Sequence, residues 1–401
     1  MVTQPIMSRQ HGGEQQSKIT NKAIRTIILI FLLILSLVPF FFITHVQLLE
    51  DAGFHPLNQH LENQQQLQLQ QQSKSKSSAP YIQPVSCTKY QNDPTIYNSN
   101  KDMSPNETKR LTITTPPFYI SLHNQWFDKK RWVHIYKTGD YYEKGLTQLF
   151  HDILVKYDVE HVELFPPLML DIGMNIGWFS LYSKAHGHDV AAFEPNPTMF
   201  LRVCESLEFN NWKEDKGFTL WNYGLGTTPG TFNLTLGNNP GGSSFFSERL
   251  APKYRHSMPV QVVTLDSVAL QEGWIERKIS LIKVDVEGFE NYVFEGGKTL
   301  LYKGDVDNII MENSSNNASQ VLPMVDMLYD AGYRIMQILS VNGDPYHEDW
   351  WETFNPALEA RHTAKAESKE MPDSDQINFL SRSTSNIWWQ HVRMQQLSSK
   401  S

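Results

Sequence analysis

Leu168 to Pro197 reads LMLDIGMNIGWFSLYSKAHGHDVAAFEPNP, and the rest of the chain is organised around this stretch. Leu168, Met169 and Leu170 form a short apolar run ending in Asp171, followed by a loop that carries Gly173 and Gly177. From Ile176 to Ala185 the apolar positions recur at helical spacing, and Asp189 to Phe193 reads as a second buried strand closing on Glu194. The stretch is therefore a β-α-β unit of about the minimum length for such a crossover. Gly173 and Gly177 remove side chains where a ligand must approach backbone. The helix that follows offers unpaired N–H groups and the positive end of its dipole. Glu194, at the tip of the second strand, is placed to accept hydrogen bonds from both hydroxyls of a ribose. Glycines that only made a tight turn would leave Glu194 as a solvated strand end. An acid at the right distance from the loop makes that the weaker reading.

Two cofactor classes use such a unit, and the loop separates them. Nicotinamide and flavin binders need room for a pyrophosphate, hence three glycines in G-x-G-x-x-G. Here the pattern is Asp171-x-Gly173-x-Asn175-x-Gly177, with an acid on the strand and two glycines. A carboxylate and an amide beside a helix start suit a cationic amino-acid moiety better than a pyrophosphate. S-adenosylmethionine carries that moiety together with a ribose for Glu194. Asp171, Gly173, Asn175, Gly177 and Glu194 are the cofactor-binding candidates.

The run DIGMNIGWFSLYSKAHG followed by AAFEPNP resembles the first motifs of FkbM-type methyltransferases. VVTLDSV (Val262 to Val268) and LIKVDVEGFENYVFEGGKTLL (Leu281 to Leu301) resemble two further segments of that family, in the same order. The resemblance spans roughly Tyr141 to Arg382. It implies a class I methyltransferase fold, an α/β architecture with a Rossmann-like, doubly wound and mostly parallel sheet. It also implies transfer of a methyl group to a hydroxyl oxygen.

The chain of 401 residues has a net charge of −8, which argues against a nucleic-acid partner. Its two cysteines, Cys87 and Cys204, do not make a disulfide framework. Cys204 falls on the apolar face of an expected helix and reads as a packed thiol; whether the two pair does not follow from sequence. Residues 1–25 are polar and basic, as expected of a cytoplasmic tail. Residues 26–44, TIILIFLLILSLVPFFFIT, carry no charged side chain and are long enough to cross a bilayer. A cleaved signal peptide would have a shorter head and a small-residue cleavage site. Basic residues precede the span, and Glu50 and Asp51 follow it, so a type II signal anchor with a lumenal head is expected. Residues 45–117, which include LENQQQLQLQQQSKSKSS, read as a low-complexity stem, and residues 118–401 as the globular head. Acceptor sequons begin at Asn106, Asn233, Asn313 and Asn317, consistent with a secretory compartment such as the Golgi or endoplasmic reticulum.

Within the head, Tyr119 to Tyr142 reads as strands and loops over the cofactor side, and Leu146 to Tyr157 as a helix. Met199 to Phe209 is a second helix and Phe218 to Tyr223 a third core strand. Asn222, at its end, sits where class I methyltransferases contact adenine, or else marks an ordinary strand exit. Gly230 to Leu236 alternates like a strand, and Asn238 to Phe245 is a glycine-rich loop suited to an acceptor rim. Asp266 reads as the N-cap of a helix through Leu270.

Ser280 to Val284 is the fourth core strand, and Asp285 and Glu287 follow on the ligand side of the sheet. A carboxylate there can orient the acceptor hydroxyl, take its proton or hold a metal ion. Glu287 and Glu290 also favour the next helix N-terminus by charge alone. Asp285 and Glu287 are the catalytic candidates, with Glu312 at the end of a fifth strand beside them. Val321 to Ala331 reads as a helix, Tyr333 to Ile338 as a strand and Ile377 to Ser381 as the last strand. Asp344 to Asp375 reads as a long charged loop. Its His347, Glu348 and Asp349, with His362, fit no standard metal spacing, so no metal site is expected.

These readings converge on an S-adenosylmethionine-dependent O-methyltransferase, with a glycan hydroxyl as the acceptor a lumenal enzyme meets most often. Two other classes remain: a non-catalytic adenosylmethionine-fold scaffold, and an NAD-dependent oxidoreductase using the same crevice.

Overall fold

The computed structural model describes residues 81–88, 105–129, 132–140, 142–160, 166–236, 243–245, 256–314, 318–340, 343–345, 350–372, 374–382 and 384–394. The expected tail, membrane span and most of the stem lie outside these residues, as do the sequon at Asn317, most of the glycine-rich loop, and His347 to Asp349. Among the described residues no helix is long and apolar enough to cross a membrane.

In chain order the elements are β1 (Lys109–Leu111), β2 (Tyr119–Ser121), α1 (Lys144–Glu160), β3 (Leu168–Ile172), α2 (Trp178–Ala185) and β4 (Asp189–Phe193). Next come α3 (Pro197–Phe209), β5 (Phe218–Trp221), β6 (Gly224–Leu225), β7 (Gly230–Leu236), β8 (His256–Val263), α4 (Leu265–Gln271) and β9 (Lys278–Val284). The chain continues through α5 (Glu290–Glu295), α6 (Lys298–Lys303), β10 (Asp305–Asn313), α7 (Ala318–Asp330) and β11 (Tyr333–Leu339). It closes with α8 (Trp350–Ala366), α9 (Asp375–Arg382) and β12 (Ser385–His391).

The main sheet has seven strands in the order β11-β12-β10-β9-β3-β4-β5. β5, β4, β3, β9 and β10 are parallel, while β12 lies antiparallel between β10 and β11. This is the mixed α/β, mostly parallel and doubly wound arrangement that the sequence predicts. Alternation along β3 shows why both faces need cover. Leu168, Leu170 and Ile172 join a core with α4 to α9, whereas Met169 joins a second core with α1, α2 and α3. A small sheet in the order β6-β8-β7 continues beyond β5.

Three assignments change. Ile377 to Ser381 is not the last strand but the body of α9, with Ile377 and Leu380 buried one turn apart. The last strand is β12, whose SNIWWQH is rich in aromatic residues. The expected charged loop instead holds the helix α8. Phe354 and Leu358 pack into the core, Arg361 forms a bidentate pair with Asp326, and Pro356 is accommodated inside the helix. Asp266 does not cap its own helix. Thr264 does so through Ser267 N–H, while Asp266 accepts from the N–H groups of Thr299 and Leu300 at the start of α6.

The folded body reaches further towards the N-terminus than Phe118. Val85 N–H donates to the Leu220 carbonyl on edge strand β5, and Ile82 is held at both its N–H and its carbonyl by Gln271. Cys87 is disulfide-bonded to Cys204 on α3, so Cys204 is not a packed thiol. Residues 118–127 pack over α3 and α2 rather than over the ligand side. Ser121 N–H donates to Ser206, Asn210 pairs with the Tyr119 backbone, and Phe118 meets Trp178 edge-on. Asn313 cannot accept a glycan in this fold, because its side chain is buried and donates to the Leu380 carbonyl. Asn233 is exposed on β7.

Candidate active site

The C-terminal ends of β3, β4 and β9 open into one cleft. Its walls come from the loops after these strands and from the small sheet.

Gly173 starts the first loop with φ +83°. A Cβ there would stand 1.8 Å from the Asp285 carbonyl oxygen, so glycine is required by the neighbouring backbone as well as by its dihedral. Asn175, also left-handed at φ +55°, lines the cleft and turns its own Oδ1 to Ile176 N–H. Gly177, again at φ +83°, does not line the cleft. It precedes α2 and packs on Val203, which a Cβ would approach to 2.9 Å.

Glu194 lines the cleft where β4 ends. Its Oε2 accepts from Asn175 N–H at 3.0 Å and its Oε1 from Asn196 N–H at 2.9 Å. Burial raises its pKa to about 7, against the opposing pull of those two N–H groups. Each oxygen keeps a further lone pair for a ligand donor. Asn222 stands behind the wall: its amide donates to the carbonyls of Glu194 and Pro195, holding that turn in place. The cleft itself is walled there by Tyr223, Gly224 and Leu225.

Asp171 is fully buried and does not line the cleft. It pairs in register with Lys283 on the adjacent strand, at 3.3 Å between charged atoms, and accepts from Ser180 on α2 at 2.6 Å. Lys283 reaches on to the Gly173 carbonyl at 3.0 Å and to Asp285 at 3.5 Å. Burial acts to lower the Lys283 pKa, yet the charges of Asp171 and Asp285 outweigh it, and the net shift is upward. This lysine was missed from sequence. Its signal is a cation that follows the mostly apolar run Ile279 to Ile282 inside a core strand, where a charge survives only if paired.

Asp285 and Glu287 both line the cleft. Asp285 N–H donates to the Ile172 carbonyl, which ties the β9 exit to the end of β3. Glu287 holds φ +54° and its carbonyl accepts from Ser244. A non-glycine residue in that region is strained backbone of the kind that clusters at functional sites. Glu312 lies one strand over, just past Met311, the register partner of Val284. Burial first, then the charges of Asp285 and Glu287 and a hydrogen bond with Asp285, drive its pKa strongly upward. The same burial favours the neutral form of the Glu312 carboxyl. Glu290 is buried on α5, accepts from Gly288 N–H, and is raised to about 7 by burial.

The described lining residues include three carboxylates, Glu194, Asp285 and Glu287, and no lysine or arginine. Phe193, Met199, Tyr223, Leu234, Phe245 and Phe289 supply apolar wall between them.

Residues 171–335 match the methyltransferase FkbM domain. Every site candidate from Asp171 to Glu312 falls inside this FkbM segment, which ends within β11 and leaves β12 outside. Methyltransferase sdnD of Sordaria araneosa is 29% identical over 198 residues, covering 42% of this chain and 74% of that protein. Methyltransferase 1 of Beauveria bassiana (strain ARSEF 2860) is 30% identical over 146 residues, covering 32% of this chain and 57% of that protein. Among solved structures, a putative SAM-dependent methyltransferase from Streptococcus mutans aligns at a TM-score of 0.32 and 10% identity, covering 71% of this chain and 55% of that one. Phosphoethanolamine N-methyltransferase 2 of Haemonchus contortus, in complex with phosphomonomethylethanolamine and S-adenosylhomocysteine, aligns at 0.27 and 10%, covering 68% and 61%. Scores this low decide nothing about activity.

Proposed function

We propose that this protein is an S-adenosylmethionine-dependent O-methyltransferase acting on a glycan hydroxyl within the secretory pathway. The observation that carries the reading is the charge of the cleft: carboxylates at the ends of β4 and β9, and no cation among its described lining residues. A pyrophosphate would meet repulsion there, whereas a ligand carrying a sulfonium and an ammonium would meet attraction. Glu194 would hold the ribose hydroxyls, the loop from Gly173 to Asn175 the amino-acid moiety, and the apolar wall the adenine. When bound, S-adenosylmethionine supplies a methyl group activated by its positive sulfur.

The chain's own part is to hold an oxygen nucleophile in line and to manage its proton. Asp285 lines the cleft with 31% of its side chain exposed and stands 3.5 Å from the Lys283 ammonium. It is thus able to accept a hydroxyl proton from the cleft. Lys283, behind it, bridges Asp285 and the Gly173 carbonyl and so fixes the carboxylate's position.

Location rests on sequence and on one bond. The span at 26–44 is taken as a type II anchor, and the Cys87–Cys204 disulfide supports an oxidising compartment. A glycan acceptor follows from that location and not from any residue.

Calorimetric titration of the full-length chain with S-adenosylmethionine and with NAD tests the cofactor, and labelled-methyl transfer to a panel of neutral glycans tests the acceptor. Binding of the first alone, with transfer to at least one glycan, is expected. Preference for NAD would overturn the reading; methyl-donor binding without transfer to any glycan would overturn its acceptor.

A further inference from the structure

His151 on α1 and His186, the C-cap residue of α2, stand together away from the cleft. Nδ1 of His151 and Nε2 of His186 are 3.4 Å apart, with ring centroids at 5.4 Å and planes crossing at 73°. The other nitrogen of His186, Nδ1, lies 3.0 Å from the Tyr182 carbonyl. A carbonyl only accepts, so Nδ1 carries the proton and Nε2 presents a lone pair towards His151. The Tyr182 hydroxyl stands 3.2 Å from the same Nδ1 of His151. Nδ1 of His151 thus has an imidazole nitrogen and a phenol oxygen of the α2 side within 3.4 Å.

A direct N–H···N hydrogen bond of 3.4 Å is long. Two nitrogens on a tetrahedral ion, at bonds of about 2.05 Å, stand roughly 3.3 Å apart. An N–H donated to a backbone carbonyl is also the contact that orients a metal-binding imidazole and sets its tautomer. Both histidines are half-buried, so water can complete a coordination sphere, while Tyr182 is buried and fixed. No group of three or more His, Cys, Asp or Glu side chains among the described residues could hold a metal ion, so this site would use two imidazoles and a phenol oxygen.

We propose that His151 and His186, with Tyr182 as an oxygen donor, bind a divalent transition-metal ion of nitrogen preference, such as zinc. The ion clips α1 to α2, the helix that follows the cofactor loop. Its role is structural: it adds a link between two helices that meet through apolar packing and a hydrogen bond from Trp178 to Thr147.

Chelator-treated full-length protein titrated with Zn²⁺ tests this. The chain holds 14 histidines, so the comparison with variants decides and not wild-type binding alone. Wild type is expected to take up one ion and to gain thermal stability. His151→Gln and His186→Gln should each weaken that site roughly tenfold or more. Co²⁺ in the same site should show the visible bands of a nitrogen-ligated four-coordinate ion, absent in both variants. Circular dichroism identifies any variant that does not fold. Tyr182→Phe keeps both imidazoles and the core shape, and should weaken binding while leaving the fold intact. Equal stoichiometry, affinity and Co²⁺ spectra in wild type and folded variants would overturn the proposal, as would no binding at all.

Discussion

Gly173 faces the carbonyl of Asp285 across the junction of β3 and β9, with room for a hydrogen and not for a methyl group. A Cβ there would lie 1.8 Å from that oxygen. The constraint joins the loop after β3 to the turn after β9 through backbone alone.

Gly173→Ala is accordingly expected to damage the fold and not only to fill ligand space. Denaturant unfolding should show a loss of more than about 2 kcal/mol, from the clash and from φ +83°. Normal stability with lost S-adenosylmethionine binding would mean that the clash relaxes freely and that the ligand alone needs the glycine.

Glu194→Gln should weaken S-adenosylmethionine by about 2 kcal/mol, because an amide NH₂ must then face one of two backbone donors and no charge remains for the ribose. In the wild type, affinity should fall as pH drops through about 7, where Glu194 protonates. Titrations at several pH values check both, and a flat profile would place the ribose elsewhere.

Asp285→Asn should keep the fold and most cofactor affinity, and lower turnover by roughly a hundredfold, the scale of a lost general base. Near-normal turnover in the presence of chelator would remove Asp285 from both base and metal roles and shift attention to Glu287 and Glu312.

Stability should fall as pH rises from about 5 to 8. Glu194 and Glu290 have folded pKa values near 7 against an ordinary 4.5, and Glu312 is shifted further in the same direction. In that window the native state binds more protons than the unfolded chain, so their stabilising contribution is complete below about 4.5 and is lost as pH passes through the folded values. Each of the first two contributes up to about 3 kcal/mol. Glu205, also raised by burial, adds to the trend, and His391, depressed by burial and by Arg393, acts in the opposite sense below 6.5, one group against four. Urea unfolding across the range measures the slope, and Glu290→Gln should reduce it.

Reduction should lower stability by about 2–4 kcal/mol, since the Cys87–Cys204 bond closes a loop spanning 117 residues. Melting with and without reductant checks this. A double alanine variant should melt at the reduced temperature in both conditions.

The first β-α-β unit was legible because two periodicities, helical and strand, change at glycines. The cleft carboxylates were legible because they end strands. Lys283 and Asp171 looked like separate features, and only strand register makes them partners. Asn222 is legible as a strand exit, but which way its amide faces depends on the Glu194 and Pro195 carbonyls, 27–28 residues away. Ile377 to Ser381 was misread because five residues with apolar positions at 377, 379 and 380 fit either period. In α8, proline and a charged surface hid a helix whose buried face includes Phe354 and Leu358. The Cys87–Cys204 pairing could not be read at all, since it depends on where residues 81–88 lie on the finished fold.

β12 separates β10 from β11, yet follows both in the chain. During synthesis β10 and β11 leave the ribosome first, joined by α7, with their facing edges bare. Those two strands are able to pair directly in parallel, a closed and premature sheet with no place for Ser385 to His391. The nascent protein must hold that gap open until its latest strand arrives. Until then the two edges that β12 will cover stay unpaired, the kind of exposed edge that invites aggregation.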